Sequence, residues 1–316
     1  MFKNVFMYNI TPGWEALADQ IETNLQAGHF EVCGASQEQS VGWIEPRGEA
    51  NGLMLESVAG QWILKLMFES RSVPSSVVNR RADERVAQIE ASTGRKPGKK
   101  EIRDIKDDLR LELLPMAFTK QSSVLVWINR EDQFVVIDSP SQARTDEVVT
   151  LLVQTLPGLA LTLVNTKVSP TTAMADWLVT QEAPAGFSVD RECELKATDE
   201  TKAVVRYTRH QLDTDEVKQH IEGGKMPTRL ALTWDERVSF VLTQDLQLKK
   251  LEFLEVVFEG AATGKDDGFD ADVVISTSEL RTLLPDLLVA LGGQTETHPA
   301  PTQPKQDEAN PPTSVP

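Results

Sequence analysis

The sequence predicts an α+β fold, with antiparallel sheets, packed helices and a projecting helical hairpin. Three observations carry this. Apolar residues alternate with period two over several short runs that end in charged or glycine turns, as in antiparallel strands. Between these runs stand segments with an apolar residue every three or four positions, as in helices lying on a sheet. One long segment, 74–118, is dense in charge and has only narrow apolar stripes, so it supplies little core of its own.

Taken in order, "KNVFMYNI" (3–10) reads as a strand and Thr11-Pro12-Gly13 as a turn. Trp14, Leu17, Ile21 and Leu25 give a helix over 14–26. "GLMLESVAGQWILKLMFES" reads as two strands joined near Gly60, with Trp62, Leu64 and Leu66 on one face and Ile63, Lys65 and Met67 on the other. A helix starts at Pro74-Ser75-Ser76. "TGRKPG" breaks it, Gly94 acting as a stop and Pro97 barring continuation. A second helix carries Ile102, Ile105, Leu109 and Leu113 and ends near Pro115. "SSVLVWINREDQFVVIDSP" is a hairpin turning at 129–132. A helix with Thr145 as N-cap, a strand over 159–168 and the short helix "TTAMADWLVT" follow. "CELKATD" and "AVVRYTRHQL" read as strands. "DTDEVKQHIEGG" reads as a helix capped by Asp213 or Thr214 and stopped at Gly223-Gly224. Antiparallel strands fill 228–257. "ADVVISTSELRTLLPDLLVALGG" reads as a strand and then a helix capped by Ser276 or Ser278.

These elements divide the chain into a central α+β region (1–73 with 119–182), the helical hairpin (74–118), a C-terminal α+β region (183–293) and a tail (294–316). The tail is rich in Pro and Thr and is expected to be disordered.

The 316 residues carry a net charge of −16, which argues against binding polyanions over the whole surface. The charge is segregated, however. From residue 251 onward, twelve carboxylates face only Lys265, Arg281 and Lys305, whereas basic residues outnumber acidic ones between Arg71 and Lys120. Salt screens exposed charges over about 10 Å, so a local basic site can coexist with an acidic whole. No apolar run reaches the ~18 residues of a membrane-spanning helix, and the N-terminus lacks the pattern of a signal peptide. With only Cys33 and Cys193, both expected to be small core residues, a cytoplasmic protein is expected.

No HExxH, GxSxG, P-loop or dinucleotide fingerprint is present, and His29, His210, His220 and His298 are scattered. "DDGFDAD" (266–272) is the stretch most like a metal site, but it lacks the ligand spacing of a calcium loop. The reading is therefore a binding protein, with no catalytic residues, metal or cofactor expected. Two basic groups stand out. Arg95, Lys96, Lys99 and Lys100 surround the Gly/Pro break of the hairpin. Arg206, Arg209, His210, Lys218, Lys225 and Arg229 surround the "HIEGGK" helix. Both suit contacts to phosphates without base reading; the plainer alternative is solubilising charge paired with neighbours such as Asp213, Asp215 and Glu222.

Several short motifs in order, "FKN" (2–4), Gly42-Trp43, "LLP" with "AF" (113–118), Trp127-Ile128, "HIEGGK" (220–225), "LALTW" (230–234) and "LGG" (291–293), make the chain resemble the bacterial recombination-associated RdgC family over about 1–293. One departure is Ile44-Glu45-Pro46, where the family has a double proline after "GW". The resemblance implies a ring-shaped homodimer that binds DNA, mainly duplex with single-stranded DNA as a further candidate, without strong sequence preference. It also implies antagonism of the RecA recombinase and a place on the nucleoid. By position, Arg209 and His210 match a polar, cationic spot of the family expected to face DNA. Phe118, an aromatic just after the hairpin, is expected either to anchor a dimer interface or to lie in the core beneath the hairpin. Two other readings stand beside this one: an adaptor that acts on the recombinase directly, its acidic C-terminal region docking a basic partner, and a nuclease supported only by "DDGFDAD".

Overall fold

The computed structural model describes residues 2–259 and 268–295. In chain order the elements are β1 (Val5–Ile10), α1 (Ala18–Ala27), β2 (Gln39–Ile44), β3 (Glu56–Val58), β4 (Gln61–Arg71), α2 (Ser75–Thr93), α3 (Lys99–Leu113), β5 (Thr119–Asn129), β6 (Phe134–Asp138), α4 (Gln142–Thr155), β7 (Leu161–Leu163), α5 (Pro170–Thr180), β8 (Phe187–Ala197), β9 (Val204–Thr208), α6 (Asp215–Glu222), β10 (Lys225–Trp234), β11 (Val238–Thr243), β12 (Leu248–Phe253), α7 (Glu255–Phe258) and α8 (Gly268–Ala290). A 3-10 turn, Leu114–Met116, holds Pro115. The mixed α+β class is as expected, but the described strands join one antiparallel sheet rather than several. Its order is β2-β4-β5-β6-β1-β12-β11-β10-β8-β9, with β3 on β4 and β7 on β1. The first strand lies mid-sheet: residues 5–9 pair with β6, and Val5 meets Leu248 of β12.

Alternation along the strands sends side chains to two cores. Trp62, Leu64, Leu66, Val126 and Ile137 pack under α1 and α4. Ile63, Trp127 and Val136 join the other core under α5, α6 and α8, which continues beneath β8–β12. Trp127 is fully buried, stacks edge-on against Phe134 at 5.0 Å and donates to Gln61 Oε1 at 2.8 Å. The buried contact between helices α2 and α3 is small, Val78, Ala82 and Leu109 with Val73 and Ile105 beside them, as their thin stripes required, and Arg85 of α2 pairs with Glu112 of α3 at 3.5 Å. Gly94 closes α2 at φ 68°, a left-handed backbone that glycine adopts without strain.

Several local expectations are corrected. Residues 271–275 are helix and not strand: α8 is continuous from Gly268, and Val273, Thr277, Leu280 and Leu284 are buried at helical spacing. Ser276 and Thr277 hydrogen-bond to carbonyls one turn back (Thr277 Oγ1 to Val273 O, 2.7 Å) instead of capping. Helix α4 is capped by Ser141, whose Oγ accepts from Arg144 N, while Thr145 lies buried inside its first turn. Helix α1 starts at Ala18 because Trp14 turns into the core, where it meets Trp62 edge-on at 6.4 Å and its Nε1 donates to Pro157 O. The strand expected over 159–168 shrinks to the three residues of β7, and β12 gives way to α7 after Phe253. Strand β2 was not foreseen. Gly42 explains it: a Cβ there would come within 2.4 Å of the Phe30 backbone, which accompanies β2 through the Phe30 N–H to Trp43 O bond. Gln294 and Thr295, assigned to the tail, bond to the 165–166 segment; the remaining tail, 296–316, lies outside the described residues.

Candidate nucleic-acid interface

The basic residues expected around "HIEGGK" do not form one rim; the sheet separates them. Cys193, Leu195, Tyr207 and Leu230 face the core shared with α5 and α6. Glu194, Arg206 and Arg229 occupy alternating positions and therefore face the opposite side. They stand in one row across three strands, Arg206 opposite Glu194 and Glu194 opposite Arg229. A bulge at Thr228 sets this up. Strict alternation from Pro227, which pairs with Leu195, would turn Arg229 into the core. Arg206 Nε reaches Glu194 Oε2 at 2.6 Å, and Thr228 Oγ1 donates to Oε1 at 2.7 Å. Burial pushes the Glu194 carboxyl up, but the hydrogen bonds from Arg206 and Thr228 and the charge of Arg229 outweigh it and hold the group below its ordinary value.

Lys196 and Lys249, which the sequence reading passed over, join Glu194 and Arg229 around a cleft of about 170 Å³. Through Gln244, Asp245, Gln247 and Lys249 it adjoins a larger cleft of about 800 Å³, lined with Ser141, Gln142, Asn165 and Thr166. A short distance along β12, Lys250 is tied to Glu192 at 2.6 Å.

His210, Lys218 and Lys225 lie instead on the side of α6. Lys225 Nζ contacts His220 Nδ1 at 3.1 Å, and the His220 and His210 rings stand 6.4 and 5.4 Å from Tyr207. Tyr207 donates to Glu216 Oε1 at 2.9 Å; burial and that carboxylate push its pKa up to about 12. Lys218 is half-buried on α6. Arg209 is exposed just after β9 with φ 57°, in the left-handed region that a non-glycine residue seldom occupies.

At the helix pair, Arg95, Lys96, Lys99 and Lys100 are all exposed, with Arg95 paired to Glu101 at 3.0 Å. Lys99 and Lys100 belong to the first turn of α3 rather than to the break before it. Lys99 also begins a stripe the sequence reading missed. Lys99, Arg103, Lys106 and Arg110 recur at spacings of four, three and four, which is one helix face, and they line a shallow cleft of about 370 Å³. Arg110 pairs with Asp107 at 2.7 Å, whereas Lys99, Arg103 and Lys106 form no ion pair among the described residues. The same spacing argument that located the apolar stripe of α3 would have found this basic one.

Phe118 is 94% exposed, which removes the core alternative for it. Met116 and Leu111 nearby are also exposed. Among the described residues, no group of three or more His, Cys, Asp or Glu is placed to hold a metal, and no helix is long and apolar enough to cross a membrane. Asp266 and Asp267 of "DDGFDAD" lie outside the described residues. Both cysteines are buried free thiols, with burial pushing Cys193 up to about 12.

A family model described as "Putative exonuclease, RdgC" matches residues 1–294. The chain belongs to the RdgC family. The recombination-associated protein RdgC of Dechloromonas aromatica (strain RCB) is 42% identical over 299 residues, covering 93% of this chain and 98% of the relative. That of Janthinobacterium sp. (strain Marseille) is 41% identical, covering 93% and 99%, and that of Bordetella pertussis 42% identical, covering 93% and 98%. The RdgC markers acquire physical reasons here. "GW" lets the 29–30 backbone pass over Gly42 while Trp43 Nε1 donates to Thr155 Oγ1, and "HIEGGK" ends α6 and delivers Lys225 into β10.

Proposed function

We propose that this RdgC-family chain binds DNA, mainly duplex, through its phosphates and without sequence preference, as a ring-shaped homodimer that limits access of the RecA recombinase. In this reading the helix pair projects as a hairpin from the central region and the C-terminal region forms the base. The observation that carries it is Lys99, Arg103 and Lys106 on one face of α3, without an ion pair among the described residues, in a chain of net charge −16. Cations left without carboxylate partners are those that release counterions on meeting phosphates. Arg206, Arg209, His210, Lys218, Lys225 and Arg229, with Lys196 and Lys249, supply the second contact region. Phe118 lies at the contact between copies. No catalytic step is assigned.

The test is duplex binding measured against salt. Log affinity should fall linearly with log salt, and by the same slope for unrelated sequences. A flat salt response, or a strong preference for one sequence, would sink the reading. Incubating labelled DNA with magnesium or manganese should leave its length unchanged; metal-dependent shortening would establish a nuclease instead. Inhibition of recombinase that persists in a variant unable to bind DNA would favour the adaptor.

A further inference from the structure

Strand β5 is paired unequally along its two edges. On one side it pairs with β4 over all but its last residue, from Thr119 opposite Arg71 to Ile128 opposite Trp62. On the other side β6 pairs only with residues 126–129. The outer edge of residues 119–125 has no strand partner among the described residues, and residues 119–123 are exposed on both faces. Seven residues of open edge span about 23 Å. Such an edge is a template for another strand, and proteins usually blunt it with proline, bulges or several charges. Lys120 is the only charge here and there is no proline.

We propose that this edge pairs with its own counterpart in a second copy, joining two sheets antiparallel about a two-fold axis at Ser122. The inference rests on the homodimer reading and specifies where the two copies meet. Ser122 is the midpoint of the open stretch, so a two-fold there pairs the whole edge with itself. Thr119 then faces the partner's Leu125, and Lys120 the partner's Val124. The two lysines stand about 13 Å apart, four residues along the strand, and no like charges oppose each other. Phe118 of each copy comes opposite the partner's Val126, at the point where the partner's β6 ends near Ile137, which gives its exposed ring a surface to cover. The chain's own tail is a poor occupant: residues 296–316 contain six prolines, which cannot donate to a ladder.

The test is a scan of single cysteines at residues 119–123 under mild oxidation, with Ser92→Cys on exposed α2 as control. Directly opposed strand residues lie within disulfide reach. Disulfide-linked dimer should peak at Ser122→Cys and fall on both sides, with Ser92→Cys near background. In the unaltered protein, the alternate amides of 119–125 that point away from β4 should exchange slowly at high concentration and quickly on dilution. A chain that sediments as a dimer but gives no peak at Ser122, or crosslinks equally at Ser92, overturns the pairing and leaves the homodimer standing. A chain that is monomeric at every concentration overturns both.

Discussion

The two basic regions differ in how their charge is held. On the sheet, Arg206 and Arg229 flank a shared carboxylate, Glu194, and sit on strands backed by a large core. On α3, Lys99, Arg103 and Lys106 have no carboxylate partner among the described residues, and the helix rests on a small core of Val78, Ala82 and Leu109. Counting cations would rank the regions as equals. Counting the cations left over after internal pairing favours α3, because a phosphate must displace Glu194 to gain Arg206 but displaces only water and salt at Lys106.

The comparison can be broken first at its foundations. Trp127→Ala removes a fully buried ring and should cost about 3–5 kcal/mol of global stability by chemical denaturation. Leu109→Ala, in the small core of the helix pair, should cost about 2 kcal/mol and open α2 and α3 before the sheet, seen as early proteolysis between 74 and 118. Equal losses would mean that the helix pair is not an independent unit. Next, replacing Lys99, Arg103 and Lys106 together with alanine should lower the salt slope of duplex binding by about 2.7, at about 0.9 per phosphate contact. Arg206→Ala with Arg229→Ala should lower it by about 1, since Arg206 is already neutralised. Reversal of that order would place the main contact on the sheet. Glu194→Gln should then tighten binding by raising the sheet's share of the slope. The smallest effect concerns Glu69, where β4 leads into the helix pair. The Cys33 backbone N–H, and then Gln121, hold its carboxyl below the ordinary value. A depressed folded-state pKa contributes stability above the unfolded value of about 4.3 and loses it as pH falls through the folded value. The stability advantage of the unaltered chain over Glu69→Gln should therefore shrink as pH falls below about 5. A difference constant with pH would show that Glu69 acts by shape alone.

Much of the fold was legible because period-two and helical patterns are local. The β4–β5–β6 meander and α2, α3 and α5 follow from them directly. Residues 271–275 misled because a short apolar run reads equally as strand or helix; burial at Val273 and Thr277 decides it only once the sheet is present. Strand β2 was hidden because its apolar signal is short and its reason, a backbone crossing at Gly42, is tertiary. The candidate site was legible as composition, not as geometry. "HIEGGK" draws attention to Lys225, yet Lys225 and Arg229 end on opposite sides of the sheet through one extra residue, Thr228. The α3 stripe needed no tertiary information, and phasing the basic residues as well as the apolar ones would have exposed it.

The position of β1 also bears on how the chain is made. Its neighbours in the sheet arrive late: β6 and β7 some 130 and 150 residues later in the sequence, and β12, which meets it at Val5, some 240 later. At about 5–20 residues per second of synthesis, the Val5 end of one edge of the first strand stays unpaired for roughly 12–50 s before Leu248 emerges. The chain therefore completes its sheet around its oldest segment last, and nascent chains halted before residue 248 should remain open to protease near their start.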